Sequence, residues 1–292
     1  MSAVLVALAA LCWGLAGGIG GILLDDGWDP FVASFYRGLV GLAFVLVWLA
    51  LRPKGSGLSS PRLWFWSVVA GVGVAGNFAF YFVSIANGSV AVAATLMYSA
   101  PVFVFVASFA LGLERPTGLK FVAIAAVMVG IALLTQIHDV GGSGITLIGV
   151  GAGLLAGVCY ALFIFGFKYA APHGSPQAIL TIAFAVLAAI LVWPGESDQL
   201  FAAPGSPDLA LILALGVVGA GLSFVLYVVG LKHTAPAAAS IVAMVEPVTA
   251  SVFGVAILDE SLAGLQLLGM GLILVTVTAL TVSSSPEESE LG

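Results

Sequence analysis

Charge is scarce in this sequence of 292 residues. Eight Lys and Arg and 14 Asp and Glu make up 8% of the chain, whereas soluble domains carry about 25% charged residues. This scarcity excludes a water-soluble enzyme, and the shortage of basic residues excludes a nucleic-acid partner bound through a basic patch. With 61% hydrophobic residues and a mean hydropathy of +1.21, the chain is predicted to be a polytopic membrane protein surrounded by lipid.

The sequence also lacks the common enzyme motifs. It contains no HExxH, GxSxG or P-loop pattern and no Cys or His pair at metal-binding spacing, so we expect no catalytic residue, no metal and no cofactor. The two cysteines, Cys12 and Cys159, lie in apolar runs and are predicted to be small apolar side chains. The segment DDGWD (25–29) has the DDxxD form of a Mg-diphosphate site, but no basic residue accompanies it. A solvated turn that caps the next helix is the preferred interpretation.

Apolar segments of about 20 residues, the length that crosses a bilayer, recur along the chain between turn-rich or charged breaks. The alternating pattern of a β-barrel strand is absent from the sequence, so helices are the expected spanning structure. We predict an all-α integral membrane protein with ten transmembrane helices, at residues 3–24, 30–51, 63–86, 89–112, 118–136, 144–168, 176–194, 209–231, 236–258 and 262–283.

Basic residues are confined to alternate breaks between these helices. Seven of the eight are Arg52, Lys54, Arg62, Arg115, Lys120, Lys168 and Lys232. The opposite breaks contain acidic residues and no base. The positive-inside rule therefore predicts that both termini lie in the cytoplasm. The polar segment 284–292 is predicted to be a disordered cytoplasmic tail.

The two halves of the chain are related in sequence. A shift of 146 residues pairs Gly73 with Gly219, Tyr81 with Tyr227, Pro101 with Pro247 and Glu114 with Glu260. We predict one five-helix repeat over 1–138 and a second, inverted five-helix repeat over 139–283. Because five is odd, the second repeat crosses the membrane in the opposite sense, and inverted repeats are the architecture of alternating access.

Four sequence features carry a family resemblance. They are Cys12-Trp13-Gly14, Arg37, the run AVAATLMYSAPVFVFVASFALGLER (91–115) and its second copy AAASIVAMVEPVTASVFGVAILDES (237–261). Over residues 1–283 the chain resembles the EamA-type branch of the drug/metabolite transporter superfamily. The resemblance implies a ten-helix inner-membrane exporter of two five-helix repeats, and the superfamily includes an aromatic amino-acid exporter branch. The two copies differ where Ala100 aligns with Glu246, so only the second copy carries an acidic residue at this position.

Two charged residues lie inside the predicted spans, Arg37 in the second and Glu246 in the ninth. A charge in the membrane costs at least about 2.5–3.5 kcal/mol, so it usually faces a partner or a wet cavity. One interpretation is that Glu246 binds a substrate amine or a proton while Arg37 binds a substrate carboxylate. The other is structural, either as a buried charge pair or as an Arg held by backbone carbonyls at a helix end.

A polar stripe follows one face of the third predicted helix, where Asn77, Tyr81 and Ser84 are spaced i, i+4 and i+7. Such a stripe lines a cavity, the preferred interpretation, or joins helices through hydrogen bonds. With the mid-span aromatic and sulfur-containing residues it completes the predicted substrate site, whose polar and aromatic mixture suits a largely apolar small molecule. The predicted substrate-binding residues are Trp13, Arg37, Asn77, Tyr81, Met97, Tyr98, Ser99, Tyr160, Phe163, Tyr227, Met244 and Glu246.

These features together predict a secondary transporter. Pro101 and Pro247 are the predicted hinges, since a missing N–H loosens a helix near its middle. Within the family resemblance, we expect export of small organic metabolites, with amino acids, aromatic ones included, as the leading class. The alternatives are a broad exporter of lipophilic cations held by Glu246 and aromatic faces, and an intramembrane lipid-modifying enzyme that uses the acidic segment 25–29. The expected partners are a small-molecule substrate and membrane lipid, and we expect a monomer.

Overall fold

The computed structural model describes residues 2–87, 90–113, 115–137, 146–257 and 261–283. Within these ranges all regular secondary structure is helical, which confirms the predicted all-α class. The paired residues Glu114 and Glu260, the boundary between the predicted repeats at 138–139, and the predicted tail 284–292 lie outside the described residues.

Fourteen α-helices are found in the described residues, with short 3₁₀ turns after the seventh and ninth and a π-helical turn, Val217–Leu222, after the tenth. The α-helices are α1 (Ser2–Asp25), α2 (Pro30–Leu51), α3 (Pro61–Ala86), α4 (Val90–Met97), α5 (Ala100–Ala110), α6 (Gly118–Leu134), α7 (Leu147–Ala170), α8 (Pro176–Leu191), α9 (Ser197–Ala202), α10 (Leu209–Gly216), α11 (Ser223–Leu231), α12 (Pro236–Val242), α13 (Val245–Ile257) and α14 (Gly264–Ser283).

Seven helical stretches are long and apolar enough to cross a membrane. They are Ser2–Asp25, Pro30–Leu51, Pro61–Ala86, Val92–Ala110, Leu147–His173, Leu209–Leu231 and Pro236–Ile257. The other three predicted crossings coincide with shorter apolar helices, Gly118–Leu134, Pro176–Leu191 and Gly264–Leu280. The 17 residues of Gly118–Leu134 extend about 25 Å, which is close to the hydrocarbon thickness of about 30 Å.

Helix starts follow from local capping chemistry. Pro30, Pro61, Pro176 and Pro236 each occupy the first helical position, where a missing N–H costs nothing and the fixed φ angle favours the helix. The Asp29 carboxylate accepts from the backbone N–H groups of Phe31 at 3.0 Å and Val32 at 2.9 Å, so it caps α2. This contact agrees with the capping interpretation of the acidic segment 25–29.

The fourth and ninth predicted helices are interrupted near their middles. One break separates α4 from α5 between Met97 and Ala100, and the other separates α12 from α13 between Val242 and Val245. At each break a backbone N–H bonds to the carbonyl three residues back. Pro101 and Pro247 lie in the first turn after each break, because proline fits the start of a helix but not its interior.

The helices pack in recurring pairs around a buried core. Helix α1 packs against α11 and α13, whereas α3 packs against α7 and α8. Helix α2 contacts α8 and α10, and α6 pairs with α14. Large apolar side chains such as Leu147, Trp193 and Phe201 point outward, as expected for a surface in contact with lipid.

Hydrogen bonds between loops define two ends of the bundle. At one end the Gln177 side chain donates to the Arg52 carbonyl at 3.1 Å, and the Lys168 ammonium donates to the Thr234 carbonyl at 2.8 Å. At the other end the Trp28 indole donates to the Asp208 carboxylate at 3.0 Å. The described loops therefore separate into a basic end and an acidic end.

Candidate functional site

Arg37 and Glu246 approach one another in the middle of the bundle, from α2 and the first turn of α13. Both side chains keep partial solvent exposure, although Arg37 lies about two turns inside its predicted span and Glu246 lies near the middle of its own. They are close enough to interact electrostatically, but among the described residues no direct ion pair joins them. The structure therefore shows no direct charge pair between them, whereas the contact of Arg37 with the Gly219 carbonyl corresponds to the other structural interpretation, an arginine held by a backbone carbonyl.

The Arg37 guanidinium is held by a backbone carbonyl and an aromatic ring. Its Nε and Nη2 donate to the Gly219 carbonyl oxygen at 2.9 and 2.7 Å, and its Cζ lies 4.9 Å from the centre of the Phe78 ring, within cation–π distance. Its third nitrogen, Nη1, makes no hydrogen bond to the part of the chain that the structure describes. One edge of the guanidinium is therefore engaged with protein and the other is available.

Two tyrosines face the Glu246 carboxylate. The Tyr160 hydroxyl of α7 donates to Oε2 at 3.5 Å, and the Tyr98 hydroxyl, from the break between α4 and α5, faces the same carboxylate. Tyr81 of α3 is also within electrostatic range. We name Arg37, Tyr81, Tyr98, Tyr160 and Glu246 the central site. It combines one cation, one anion and three phenols contributed by different helices.

Gly14 brings α1 against the backbone of α13 at this site. A Cβ atom at Gly14 would lie 2.5 Å from the Thr249 Cβ and 2.6 Å from the Glu246 carbonyl oxygen. Real Cβ atoms essentially never approach other atoms so closely, so only glycine permits this approach. The position of Glu246 therefore depends on a small residue in the neighbouring helix.

An aromatic cluster lies beside the central site. The centre of the Trp13 ring lies 4.9 Å from that of Tyr227 and 5.0 Å from that of Phe224, and the Phe163 and Tyr160 ring centres are 4.5 Å apart. Trp13, Phe163 and Tyr227 are at most 4% exposed. Within the described structure, the Trp13 indole N–H and the Tyr227 hydroxyl have no hydrogen-bond partner. In this conformation the cluster is closed to solvent.

The polar stripe of α3 divides between two roles. The Asn77 side-chain amide donates to the Ala156 carbonyl at 3.0 Å, and the Ser84 hydroxyl donates to the Gly149 carbonyl at 2.8 Å. Both bonds join α3 to α7, so Asn77 and Ser84 follow the second interpretation of the stripe, in which it joins helices through hydrogen bonds. Tyr81, between them on the stripe, stays partly exposed and belongs to the central site.

The remaining predicted site residues flank the two breaks. Met97 is 7% exposed and Met244 is fully buried. The Ser99 hydroxyl donates to the Leu96 carbonyl at 2.6 Å, which closes the turn before Pro101. These residues shape the interruptions that carry Tyr98 and Glu246 towards the centre.

Two residues that contact Arg37, Phe78 and Gly219, were not among the predicted site residues. Both were visible in the repeat alignment, where Phe78 pairs with Phe224 and Gly219 with Gly73. Their contact with Arg37 could not be inferred, because it depends on how α2, α3 and the π-helical turn meet. Among the described residues, which include the acidic segment 25–29, no three His, Cys, Asp or Glu side chains are grouped as a potential metal site.

Comparison with known proteins decides the family. The sequence profile of the EamA-like transporter family matches residues 1–136 and again residues 147–282. The chain belongs to the EamA-like transporter family. It is therefore a multi-pass membrane transporter of small molecules, and this assignment points away from an enzyme.

Relatives of this EamA-like transporter carry the same general description. An uncharacterized transporter, YwfM, of Bacillus subtilis (strain 168) is 25% identical over 295 residues, covering 98% of this chain and 94% of that protein. An uncharacterized transporter of Archaeoglobus fulgidus is 31% identical over 197 residues, or 68% of this chain and 69% of its own length. A solved crystal structure superposes with a TM-score of 0.79 over 99% of both chains at 19% identity, which shows a shared fold.

Proposed function

We propose that this transporter exports small zwitterionic metabolites, with amino acids, aromatic ones included, as the leading class. The observation that carries the proposal is that Arg37 and Glu246 face the same central site without forming an ion pair. Two opposite charges kept apart in a membrane are costly, and a ligand that carries both charges satisfies each of them. An α-amino acid is such a ligand.

In the proposed complex, the substrate ammonium lies at the Glu246 carboxylate beside Tyr98 and Tyr160. The substrate carboxylate lies at the open edge of Arg37, where a guanidinium forms strong charge-assisted hydrogen bonds. The aromatic rings of the central site and of the adjacent cluster supply an apolar surface for the side chain. Nucleotide sugars fit less well, since Arg37 alone would have to neutralise their phosphates.

We propose transport by alternating access between two inverted repeats. The family profile matches each half separately, and equivalent helices make equivalent contacts. Helix α3 of the first half packs on α7 of the second, and α11 of the second packs on α1 of the first. The breaks before Pro101 and Pro247 are also at equivalent positions, which supports these prolines as hinges.

The proposed membrane arrangement follows the distribution of charge. Ten crossings, with the basic end of the bundle in the cytoplasm, would place both termini inside and the acidic end outside the inner membrane. The hydrogen bonds that group Arg52 with Gln177 and Lys168 with Thr234 support a common basic end. We further propose that the monomer is the transporting unit.

The test is counterflow in proteoliposomes. Vesicles preloaded with unlabelled L-phenylalanine should accumulate labelled L-phenylalanine above the level of protein-free liposomes, and Glu246→Gln should abolish this accumulation. Glu196→Gln is the matched control, because it removes the same charge from the exposed acidic end. If Glu246→Gln transports like the control, Glu246 does not bind substrate and the proposed site is wrong.

Proton coupling is tested in the same vesicles by imposing a pH gradient. Glu246 is the acidic residue in the central site, so it is the proposed proton carrier if coupling exists. Uptake that is equal with and without the gradient would indicate facilitated diffusion down the substrate gradient.

The second candidate function is export of lipophilic cations. The position of Glu246 between Tyr98 and Tyr160 favours it, since a carboxylate with aromatic neighbours binds organic cations well. Counterflow of labelled tetraphenylphosphonium without counterflow of any amino acid would select this function over the first.

A further inference from the structure

The Gly219 carbonyl lies in an unusual turn of the eighth predicted span. The segment Val217–Leu222 is π-helical, and the Ser223 N–H bonds to the carbonyls of Val218 and Ala220. In an α-helix that N–H would bond to the carbonyl of Gly219, four residues back. The π turn therefore takes away the usual donor of the Gly219 carbonyl.

Arg37 supplies the missing donors. A buried backbone carbonyl requires a partner, and the Nε and Nη2 groups of Arg37 both reach the Gly219 oxygen. With these two bonds and the Phe78 ring against its face, the guanidinium has a fixed orientation. Its Nη1 edge is left towards the central site.

The contact between Arg37 and the π turn is not repeated at the equivalent positions of the other half. The stretch of α3 equivalent to the π turn, residues 71–76, is regular α-helix, and Ala183 stands where the repeat alignment would place a second Arg37. The π turn therefore occurs together with the arginine, as expected if its purpose is to hold that side chain.

We infer that Gly219 is a positioning residue that aims Arg37 at the carboxylate of the substrate, and that the π turn thereby determines specificity for carboxylate-bearing ligands. This inference rests on the proposed function, because it concerns the same central site. The contact of α2 with the π turn would therefore allow the transporter to distinguish an amino acid from the amine that lacks its carboxylate.

The glycine itself is required by the close approach of three elements. A Cβ atom at Gly219 would lie 2.5 Å from the Ala16 Cβ and 2.9 Å from the Arg37 Nε. A Gly219→Ala variant would therefore disturb both α1 and Arg37, and it could fail to fold. The double variant Ala16→Gly with Gly219→Ala removes the clash with α1 and retains the one with Arg37.

The experiment measures thermal protection of purified transporter by two probes. 3-Phenylpropionate has a carboxylate and no amine, and phenethylamine has an amine and no carboxylate. The wild type and Ala16→Gly should be protected by both probes. The double variant should lose protection by 3-phenylpropionate, with binding weakened about tenfold or more as expected for a misdirected charge-assisted bond, and should keep protection by phenethylamine.

Gly221→Ala is a further control in the same π turn, because the three atoms nearest to its added Cβ all belong to the Phe44 side chain, at 3.0 Å or more. Equal protection of wild type and double variant by 3-phenylpropionate would overturn the inference, as would absence of protection in the wild type. Loss of protection by both probes in the double variant would also overturn it, since that indicates general damage. Failure of the proposed function would show separately, as wild-type protein without amino-acid counterflow.

Discussion

Replacing Gly14 by alanine should displace α13 and with it Glu246. The new Cβ would lie 2.5 Å from the Thr249 Cβ and 2.6 Å from the Glu246 carbonyl oxygen, whereas ordinary contacts begin at 3.4 Å. The atoms that would have to move are backbone and Cβ atoms, so no side-chain rotation relieves the overlap. The two helices must separate by about 1 Å, and overpacking of this kind costs about 1–3 kcal/mol.

Two measurements check this prediction. Thermal unfolding in detergent should show a lower midpoint for Gly14→Ala, and counterflow should fall further than the loss of folded protein explains, because Glu246 has shifted. Gly20→Ala is the matched control on the same helix, since nothing lies within 4 Å of its added Cβ. The reasoning is refuted if both variants unfold at the same temperature and transport equally well.

Three further predictions concern side chains whose partners the structure identifies. Asn77→Ala should lower stability by about 0.6 kcal/mol, the average for a hydrogen bond between membrane helices, and leave the KM for substrate unchanged, measured by thermal unfolding and by counterflow. Tyr227→Phe should leave stability equal or higher because its hydroxyl has no hydrogen-bond partner among the described residues. Tyr160→Phe should weaken substrate binding by removing the donor to Glu246, and both variants are measured by the same two assays. Pro101→Ala and Pro247→Ala should slow transport and change how accessible the central site is to labelling reagents added from each side of the membrane. Unchanged transport rates and unchanged accessibility would exclude these prolines as hinges.

Helix positions and the interruptions near Pro101 and Pro247 could be predicted because they depend on local sequence. Apolar length sets a span, and proline restricts where a helix can begin. The importance of Arg37 and Glu246 was also predictable, since a charge is conspicuous in an apolar segment.

The partners of the polar side chains could not be predicted in the same way. A helical wheel places Asn77 and Tyr81 on one face, but it does not show that Asn77 meets an α7 carbonyl while Tyr81 stays partly exposed. The π turn that binds Arg37 has no sequence signature in Val217–Leu222, because it depends on an arginine from another helix. Such features are set by tertiary contacts between helices that are distant in sequence.

The helix breaks are at equivalent positions in the two halves, whereas the charged residues Arg37 and Glu246 are not repeated. In the proposed transport cycle, the breaks serve the conformational change and the two charges serve substrate binding. Under the proposed alternating access, equivalent breaks in the fourth and ninth predicted spans would let the two halves exchange conformations with similar energies. A second acid at Ala100, which is fully buried, would add another costly charge inside the membrane. Restricting the acid to α13 and the arginine to α2 leaves one anion and one cation in the central site. A single zwitterion can then satisfy both charges in either conformation, so the same site can load on one side of the membrane and release on the other.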